Sequence, residues 1–575
     1  MYFLALAADY DGTLAHDGVL AAETLAGLRR FQASGRRVIL VTGRQIPDLK
    51  AALPDLSVFD HIVAENGALL YDPATGQERL LAPPPPAGFV ERLRQLGVTP
   101  LSVGRCVVAT WEPQEAKVLA AIRDHGLELR IAFNKGAVMV LPPGVSKASG
   151  LTEALAELRL SPKNVAGVGD AENDHAFLAM CGCAAAVSNA LPPLKETVDI
   201  QLTQDHGAGV VELMARIEAE DARLAPLRKH GIAIGTDDAG QAAYLSPAAG
   251  HVLLVGPSGS GKSTLATTLT EQMLAQGLSF CVMDPEGDYY ELQHAVCVGS
   301  AATAPNIHDA LTLQQEAQVN LVVNSQALTL SERRRLFDQL ITETAGLRET
   351  TGRPHWLVLD EAHEMVPAGG TPGRGDMPRG APGAIFVTMV PESLDVAVLR
   401  TIETVLAFGS NPAQFLARFA EITGHALPPD LPHPPPGTLL LWQPKSGDRP
   451  IVVQPFPPHQ PHHRHIGKYA TGDVGAWHSF YFRDLTGRLN RPAHNLYDFI
   501  ELGEQVDDTI WLHHLHAGDY ARWFHDVIRD ETLSAEASRI AQDERLSAQD
   551  SRRLIKRAIW RRYAAPCERV VATRP

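Results

Sequence analysis

Cysteine is scarce in this chain: Cys106, Cys181, Cys183, Cys281, Cys297 and Cys567 are scattered over 575 positions. That excludes a disulfide framework or a zinc ribbon and points to a reducing compartment. Long apolar runs are missing as well, and none approaches the ~20 residues a membrane-spanning helix requires. The apolar start, Met1 to Ala8, has no basic leader and runs straight into acidic DYDG. It reads as a buried first strand, and the expected location is the cytoplasm. Positive charge is in deficit, with 51 Lys and Arg against 66 Asp and Glu, a formal net charge of −15. Such a chain repels a nucleic-acid backbone unless its basic residues gather on one face, whereas small anions held by local cations, a metal or backbone N–H groups remain compatible.

The composition is that of a globular protein, 45% hydrophobic and 20% charged, and the length exceeds what one hydrophobic core serves. From residue 1 to 215, short apolar bursts (YFLALAA, RRVILVTG, HIVAEN, NVAGVGD, CAAAVSN) alternate with helical stretches, the pattern of an α/β domain with a parallel sheet. Within it, PPPP at Pro83 to Pro86 and PPG at Pro142 to Gly144 bracket residues 83–143, read as a small α+β cap running helix, strand, helix, strand, strand. A second α/β series (HVLLVG, FCVMD, VNLVVN, HWLVLDE, AIFVTMV, TVLAFG) spans 228–455. A Pro- and His-rich linker with His459, His462, His463 and His465 follows, read as a linker and not a metal site, and then a mostly helical unit over 466–575.

The end of the first strand supplies two carboxylates, Asp9 and Asp11, followed by Gly12 and Thr13. Residues two apart on an extended backbone share a side. Asp9 is therefore placed to attack a phosphorus atom, and Asp11 to protonate the leaving oxygen and later activate water. Gly12 permits a sharp turn beside the ligand.

These residues resemble the first motif, DxDGT, of the haloacid dehalogenase superfamily, and three further motifs follow in order. Thr42 in VTGR, with Gly43 and Arg44 beside it, matches the second. Lys147 in PPGVSKASGL matches the third. Asp170 and Asp174 in GVGDAENDHAF match the fourth. The resemblance implies a Rossmann-like core and a small phosphorylated substrate. It gives Thr42 a hydrogen bond to the phosphoryl group, makes Lys147 the screening cation, and has Arg44 and Asn173 contact phosphate. Mg²⁺ would be held by Asp170, Asp174, Asp9 and the Asp11 carbonyl. AENGA at Ala64 to Ala68 and AVSNALPPLKETVD are similar to the Cof-type subgroup. Cys181 and Cys183 are read as packing residues.

The second series carries a glycine-rich phosphate loop, Gly256, Pro257, Ser258, Gly259, Ser260, Gly261, Lys262, Ser263 and Thr264, fitting GxxxxGK[ST] between a strand and a helix. Its N–H groups wrap phosphates, Lys262 reaches the β/γ oxygens and Ser263 ligates Mg²⁺, so the expected ligand is ATP. In HWLVLDEAH, Asp360 organises the metal's water shell and Glu361 polarises the attacking water. With VMDPEGDYYEL, holding Asp284 and Glu286, this span resembles the HerA/FtsK-like P-loop ATPases, which implies a RecA-like fold. Thr388 falls near the family's sensor strand. Met389 takes the approximate sensor Gln position, and a Gly/Pro-rich loop with Arg374 and Arg379 intervenes.

In the last region WHSFYFRD, WLHHL and YARWF are read as core, and SRRLIKRAIWRRY as a basic amphipathic helix facing solvent. The leading expectation is a Mg²⁺-dependent phosphatase regulated by an ATP domain. The others are a nucleic-acid-dependent ATPase with an accessory phosphatase, and an ATP-sensing switch. Homo-oligomers suit all three.

Overall fold

The computed structural model describes residues 1–563 apart from 135, 247–249, 258, 291, 293, 317–318, 370–380, 382, 460–468, 470–477, 484–489, 529 and 544. The chain first lays down strands β1 (Ala5–Ala8), β2 (Arg37–Val41), β3 (His61–Ala64), β4 (Leu69–Asp72) and β5 (Gln77–Leu80). It crosses into helix α1 (Ala87–Gln95), β6 (Ser102–Val103), β7 (Val108–Trp111), α2 (Glu115–Asp124), β8 (Arg130–Asn134) and β9 (Ala137–Leu141). It then returns through α3 (Lys147–Glu157) to β10 (Val165–Gly169), β11 (Cys183–Ala186) and β12 (Ile200–Gln201).

The first sheet runs β12-β11-β10-β1-β2-β3-β4-β5 and is parallel except for the β3–β4–β5 meander. β1, β10 and β11 are apolar on both faces because helices cover both, as central parallel strands require. The cap is a four-stranded antiparallel sheet, β8-β9-β7-β6, with α1 and α2 packed on one face through Phe89, Leu93, Val118 and Ile122. It holds one strand more than the sequence pattern indicated, since two residues, Ser102 and Val103, are too few to display an alternation.

The second sheet has eleven strands. β13 (Ile232–Asp237) and β14 (Ala242–Leu245) precede β15 (His251–Val255), helix α4 (Lys262–Ala275), β16 (Phe280–Asp284), β17 (Ala295–Val298) and β18 (Asn320–Asn324). Helix α5 (Leu330–Thr351), β19 (Trp356–Leu359), β20 (Gly383–Thr388), β21 (Ile402–Ala407), β22 (Leu439–Trp442) and β23 (Ile451–Pro455) follow. The order is β14-β13-β23-β22-β21-β15-β20-β19-β16-β18-β17, with seven parallel strands from β21 to β17 and an antiparallel extension. Six of the seven parallel strands were legible as apolar bursts; the edge strand β17, only half-buried, was not. β13 was not, because a bulge and Gly235 interrupt its pattern; a Cβ there would lie 2.0 Å from the Gln454 carbonyl of β23.

The third region contributes a hairpin, β24 (Phe480–Arg483) and β25 (Asn490–Ala493), and five helices among its described residues, ending in α6 (Ala548–Tyr563). Phe480, Phe482, Phe499, Trp511, Tyr520 and Trp523 form its core, with rings tilted or edge-to-face in most pairs. No helix among the described residues is long and apolar enough to cross a membrane.

The two large sheets meet at the N-terminal ends of their strands. Asn164, just before β10, and His355, just before β19, are both buried and hydrogen-bonded at 3.1 Å, and Ser161 N–H donates to the Thr351 carbonyl at 3.4 Å.

Candidate active site

β1 and β10 are neighbours, so the residues leaving their C-terminal ends, Asp9 and Asp170, emerge side by side. The turn after β10 brings back Asp174, whose Oδ2 accepts the N–H groups of Asp170 (2.9 Å) and Ala171 (3.0 Å). Carboxylate oxygens of Asp9, Asp170 and Asp174, all buried, lie within 4.8 Å of one another. Thr13 donates to Asp170 Oδ1 at 3.2 Å.

Lys147 closes this group. A capping box between Ser146 and Ser149 starts α3 and fixes Lys147 as its first residue. A cation at a helix N-terminus opposes the macrodipole, so helix formation alone does not explain it. Its Nζ reaches Asp9 Oδ1 at 2.5 Å and Asp174 Oδ1 at 2.6 Å. Burial alone would lower the lysine's pKa, but Asp174 and Asp9 outweigh it and hold the ammonium charged. Burial, then Asp174, push the Asp9 carboxyl up to about 8 against the pull of Lys147. Three carboxylates against one ammonium leave an uncompensated charge of −2 when all are ionised. The donors are all hard oxygens, and two oxygens on one Mg²⁺ stand about 3–4 Å apart, so the set fits Mg²⁺ with little movement.

The side chain of Asp11 lies elsewhere. It is exposed and held by Arg44, with Nε donating to Oδ2 at 2.7 Å and Nη2 to Oδ1 at 2.6 Å. Arg44, expected on phosphate, thus binds a carboxylate of its own chain, a geometry that suits its planar fork. Thr42 is buried, and its Oγ1 accepts from the Arg44 N–H at 3.1 Å. Gly12 turns with φ 86°. Gly43 leaves room for Asn66, whose Oδ1 accepts from Asn173 Nδ2 at 3.1 Å.

In the second sheet, Gly256, Gly259 and Gly261 have φ of 156°, 83° and 104°, conformations the phosphate loop needs between β15 and α4. Lys262 Nζ donates to the Pro257 carbonyl at 2.9 Å, inside the loop. Ser260 Oγ is buried and lacks a hydrogen-bond partner among the described residues, the fit expected of a group that meets a ligand. Ser263 and Thr264 follow in the first turn of α4, and Ser258 falls outside the described residues.

Asp360 leaves the end of β19 buried. Burial, with Glu361 and the carboxylates of Asp288, Asp284 and Glu286 around it, raises its pKa well above the ordinary range. Glu361 takes a left-handed backbone, φ 44°. Asp284 does not face the loop as a free ligand. Its two oxygens accept the N–H groups of Glu286, Gly287, Asp288 and Tyr289 at 2.7–3.2 Å, so it shapes the following turn. Thr388 Oγ1 is 2.9 Å from Ser393 Oγ. Arg374 and Arg379 lie outside the described residues, as do His462, His463, His465 and Cys567.

Five of the six cations of α6 have partners in its own domain: Arg552 pairs with Asp508, Arg553 with Asp550, Lys556 with Glu504, Arg561 with Glu536 and Arg562 with Asp530, while Arg557 is exposed. Cys181 and Cys183 are buried, and burial raises both thiols. The residue that sequence reasoning missed is Glu65, whose buried carboxylate reaches the cap. The AENG sequence marked its position but not its partner.

The family model for haloacid dehalogenase-like hydrolases matches residues 6–81 and 102–214, and that for an AAA ATPase domain matches 241–371. The phosphoglycolate phosphatase of Haloarcula marismortui is 32% identical over 223 residues, covering 36% of this chain and 95% of that one. That of Methanothermobacter thermautotrophicus is 29% identical over 221 residues, covering 37% and 97%. A haloacid dehalogenase-like hydrolase structure from Bacteroides thetaiotaomicron is 19% identical, with a TM-score of 0.33, covering 37% of this chain and 99% of that one. Through its first sheet, the chain belongs to the haloacid dehalogenase-like hydrolases. Its second sheet contains an AAA ATPase domain, so one polypeptide unites a hydrolase of that family with an ATPase fold.

Proposed function

We propose that this protein is a cytoplasmic, Mg²⁺-dependent phosphomonoesterase acting through an aspartyl-phosphate intermediate, with its turnover regulated by the ATPase domain. In this reading residues 1–215 are the phosphatase with its cap over 83–143, 228–455 the ATPase, and 466–575 a helical unit. The observation that carries it is the contact of Lys147 Nζ with both Asp9 and Asp174 inside a buried, all-oxygen acidic group.

A bound Mg²⁺ would screen the charge between carboxylate and phosphate. Asp9 attacks phosphorus as the ester P–O bond breaks, and Asp11, protonated from solvent after release from Arg44, gives the leaving alkoxide its proton. Asp11 then takes a proton from the water that attacks the aspartyl phosphate, so that inorganic phosphate leaves and Asp9 is restored. Asp11 is free to do this once a phosphoryl group competes for Arg44 and opens their ion pair. Thr42 and Asn173 would steady the phosphoryl oxygens and Lys147 screen them, with Gly12, Thr13 and Gly43 shaping the backbone around them. The relatives' name and the small cap favour phosphoglycolate or a similar small phosphoester.

In the second domain Lys262 and the loop N–H groups would hold the ATP phosphates, Ser263 and Asp360 the Mg²⁺, and Glu361 the attacking water. The turn built around Asp284 supports placement in the HerA/FtsK-like branch. A nucleic-acid motor is the weaker reading, because five of the six cations of α6 are already paired within the domain. The test is phosphate release from phosphoglycolate with Mg²⁺, with a chelator, and with ATP added. Absence of turnover across a panel of phosphoesters rejects the reading.

A further inference from the structure

Three consecutive residues at the end of β3 have left-handed backbones: Glu65 (φ 49°), Asn66 (φ 54°) and Gly67 (φ 99°). For the two with a Cβ this is a disfavoured conformation, kept only where the surroundings over-determine it. Each residue engages a different part of the hydrolase. Glu65 is 2% exposed, and its carboxylate accepts the backbone N–H groups of Arg105 (2.8 Å), Cys106 (2.9 Å) and Val107 (3.0 Å), the turn joining β6 to β7 of the cap. Asn66 donates to Met139 of β9 and accepts from Asn173, while its N–H bonds the Thr42 carbonyl at 3.1 Å. Gly67 packs so closely on the residue before Lys147 that a Cβ would lie 1.9 Å from the Ser146 carbonyl oxygen.

We propose that Glu65 is a positioning residue that registers the cap over the phosphoryl site, and so sets the affinity for the part of a substrate beyond its phosphate. This rests on the phosphatase reading above and adds the means by which cap and core share one substrate. A carboxylate taking three N–H donors forms charge-assisted bonds stronger than neutral ones. Its own N–H bonds the Arg44 carbonyl at 3.1 Å, so the cap turn is tied directly to the loop carrying Thr42 and Arg44. Gly104 gives independent support: a Cβ there would stand 2.6 Å from Glu65 Oε2, so the absence of a side chain makes room for the carboxylate.

Two variants test this, Glu65→Gln, which sets an NH₂ among the donors, and Gly104→Ala, which crowds the carboxylate without changing it. In both, KM for phosphoglycolate is expected to rise at least tenfold while kcat falls less than threefold. The inhibition constant of inorganic phosphate, which needs only the core, should stay within twofold. Amide hydrogen exchange at 105–107 should speed up in both variants. A merely structural role would instead lower kcat and weaken phosphate inhibition together, and that result overturns the proposal, as does an unchanged KM with an active wild type. A wild type that turns over no phosphoester sinks the phosphatase reading first and this one with it; the exchange data then report only the clamp.

Discussion

Asn164 and His355 tie the two large sheets together through one oriented hydrogen-bond chain. Ser279 N–H donates to His355 Nδ1 at 2.9 Å, which leaves Nε2–H to donate to Asn164 Oδ1 at 3.1 Å, and Asn164 Nδ2 donates to the Tyr2 carbonyl at 2.7 Å. The imidazole is therefore neutral and in a single tautomer. Asn164 precedes the strand that ends at Asp170, and His355 precedes the strand that ends at Asp360, each about 17–20 Å from its acidic group along the strand. Asn164→Ala leaves the Tyr2 carbonyl and the imidazole N–H without partners, a cost of about 2–4 kcal/mol. Urea unfolding should show this loss, and any effect of ATP on phosphate release should vanish while both separate activities persist. A loss of stability under ~0.5 kcal/mol argues that the joint is incidental.

His230 gives a pH signature with a definite sign. Burial, and then Lys163, lower its pKa to about 4, from an ordinary value near 6.5. Between those values the unfolded chain binds more protons than the folded one, so this contribution is present above pH 6.5 and is lost as pH falls. At pH 5 the loss amounts to roughly 2 kcal/mol. With Mg²⁺ saturating, wild type should lose more stability than His230→Leu between pH 7 and 5. Parallel melting curves would contradict it.

Asp9→Asn removes the proposed nucleophile and should reduce phosphoester turnover at least ~10³-fold. Above about pH 8, where Asp9 is ionised, it also relieves the excess negative charge among Asp9, Asp170 and Asp174. The metal-free variant should therefore melt at or above metal-free wild type, and added Mg²⁺ should stabilise wild type more. Calorimetry with and without a chelator measures both.

Lys262→Ala should abolish ATP hydrolysis, and Glu361→Gln should slow it at least ~100-fold with nucleotide still bound. Because neither residue lies in the first sheet, phosphate release without ATP should stay within a factor of about two for both variants. A collapse of phosphatase activity in Lys262→Ala under these ATP-free conditions would show that the hydrolase depends on the intact phosphate loop itself, which Lys262 braces through the Pro257 carbonyl.

Most of the gathering of the candidate site was legible because it is local. Asp9, Thr42, Lys147, Asp170 and Asp174 each stand at a strand end or a helix start that a short motif defines, and parallel pairing gathers those ends. Relationships between distant segments were not legible. The Asp11–Arg44 pair joins residues 33 apart, the Glu65 clamp reaches 40 to 42 residues away, and the Asn164–His355 bond spans 191. Each depends on how finished units pack. The basic helix α6 was legible as a solvated amphipathic face, whereas its partners on distant segments, Asp508, Glu504, Glu536 and Asp530, were not.

The position of β1 constrains how the protein is made. It lies between β2 and β10, and the N–H groups of Tyr2 and Phe3 bond the Asp221 carboxylate at 2.8–3.1 Å. β1 therefore meets one neighbour, β2, 32 residues further along the chain, and the other, β10, only 160 residues further along. At about 5–20 residues per second, a nascent chain leaves the β10 edge of this apolar strand open for about 8–32 s, long enough to engage a chaperone.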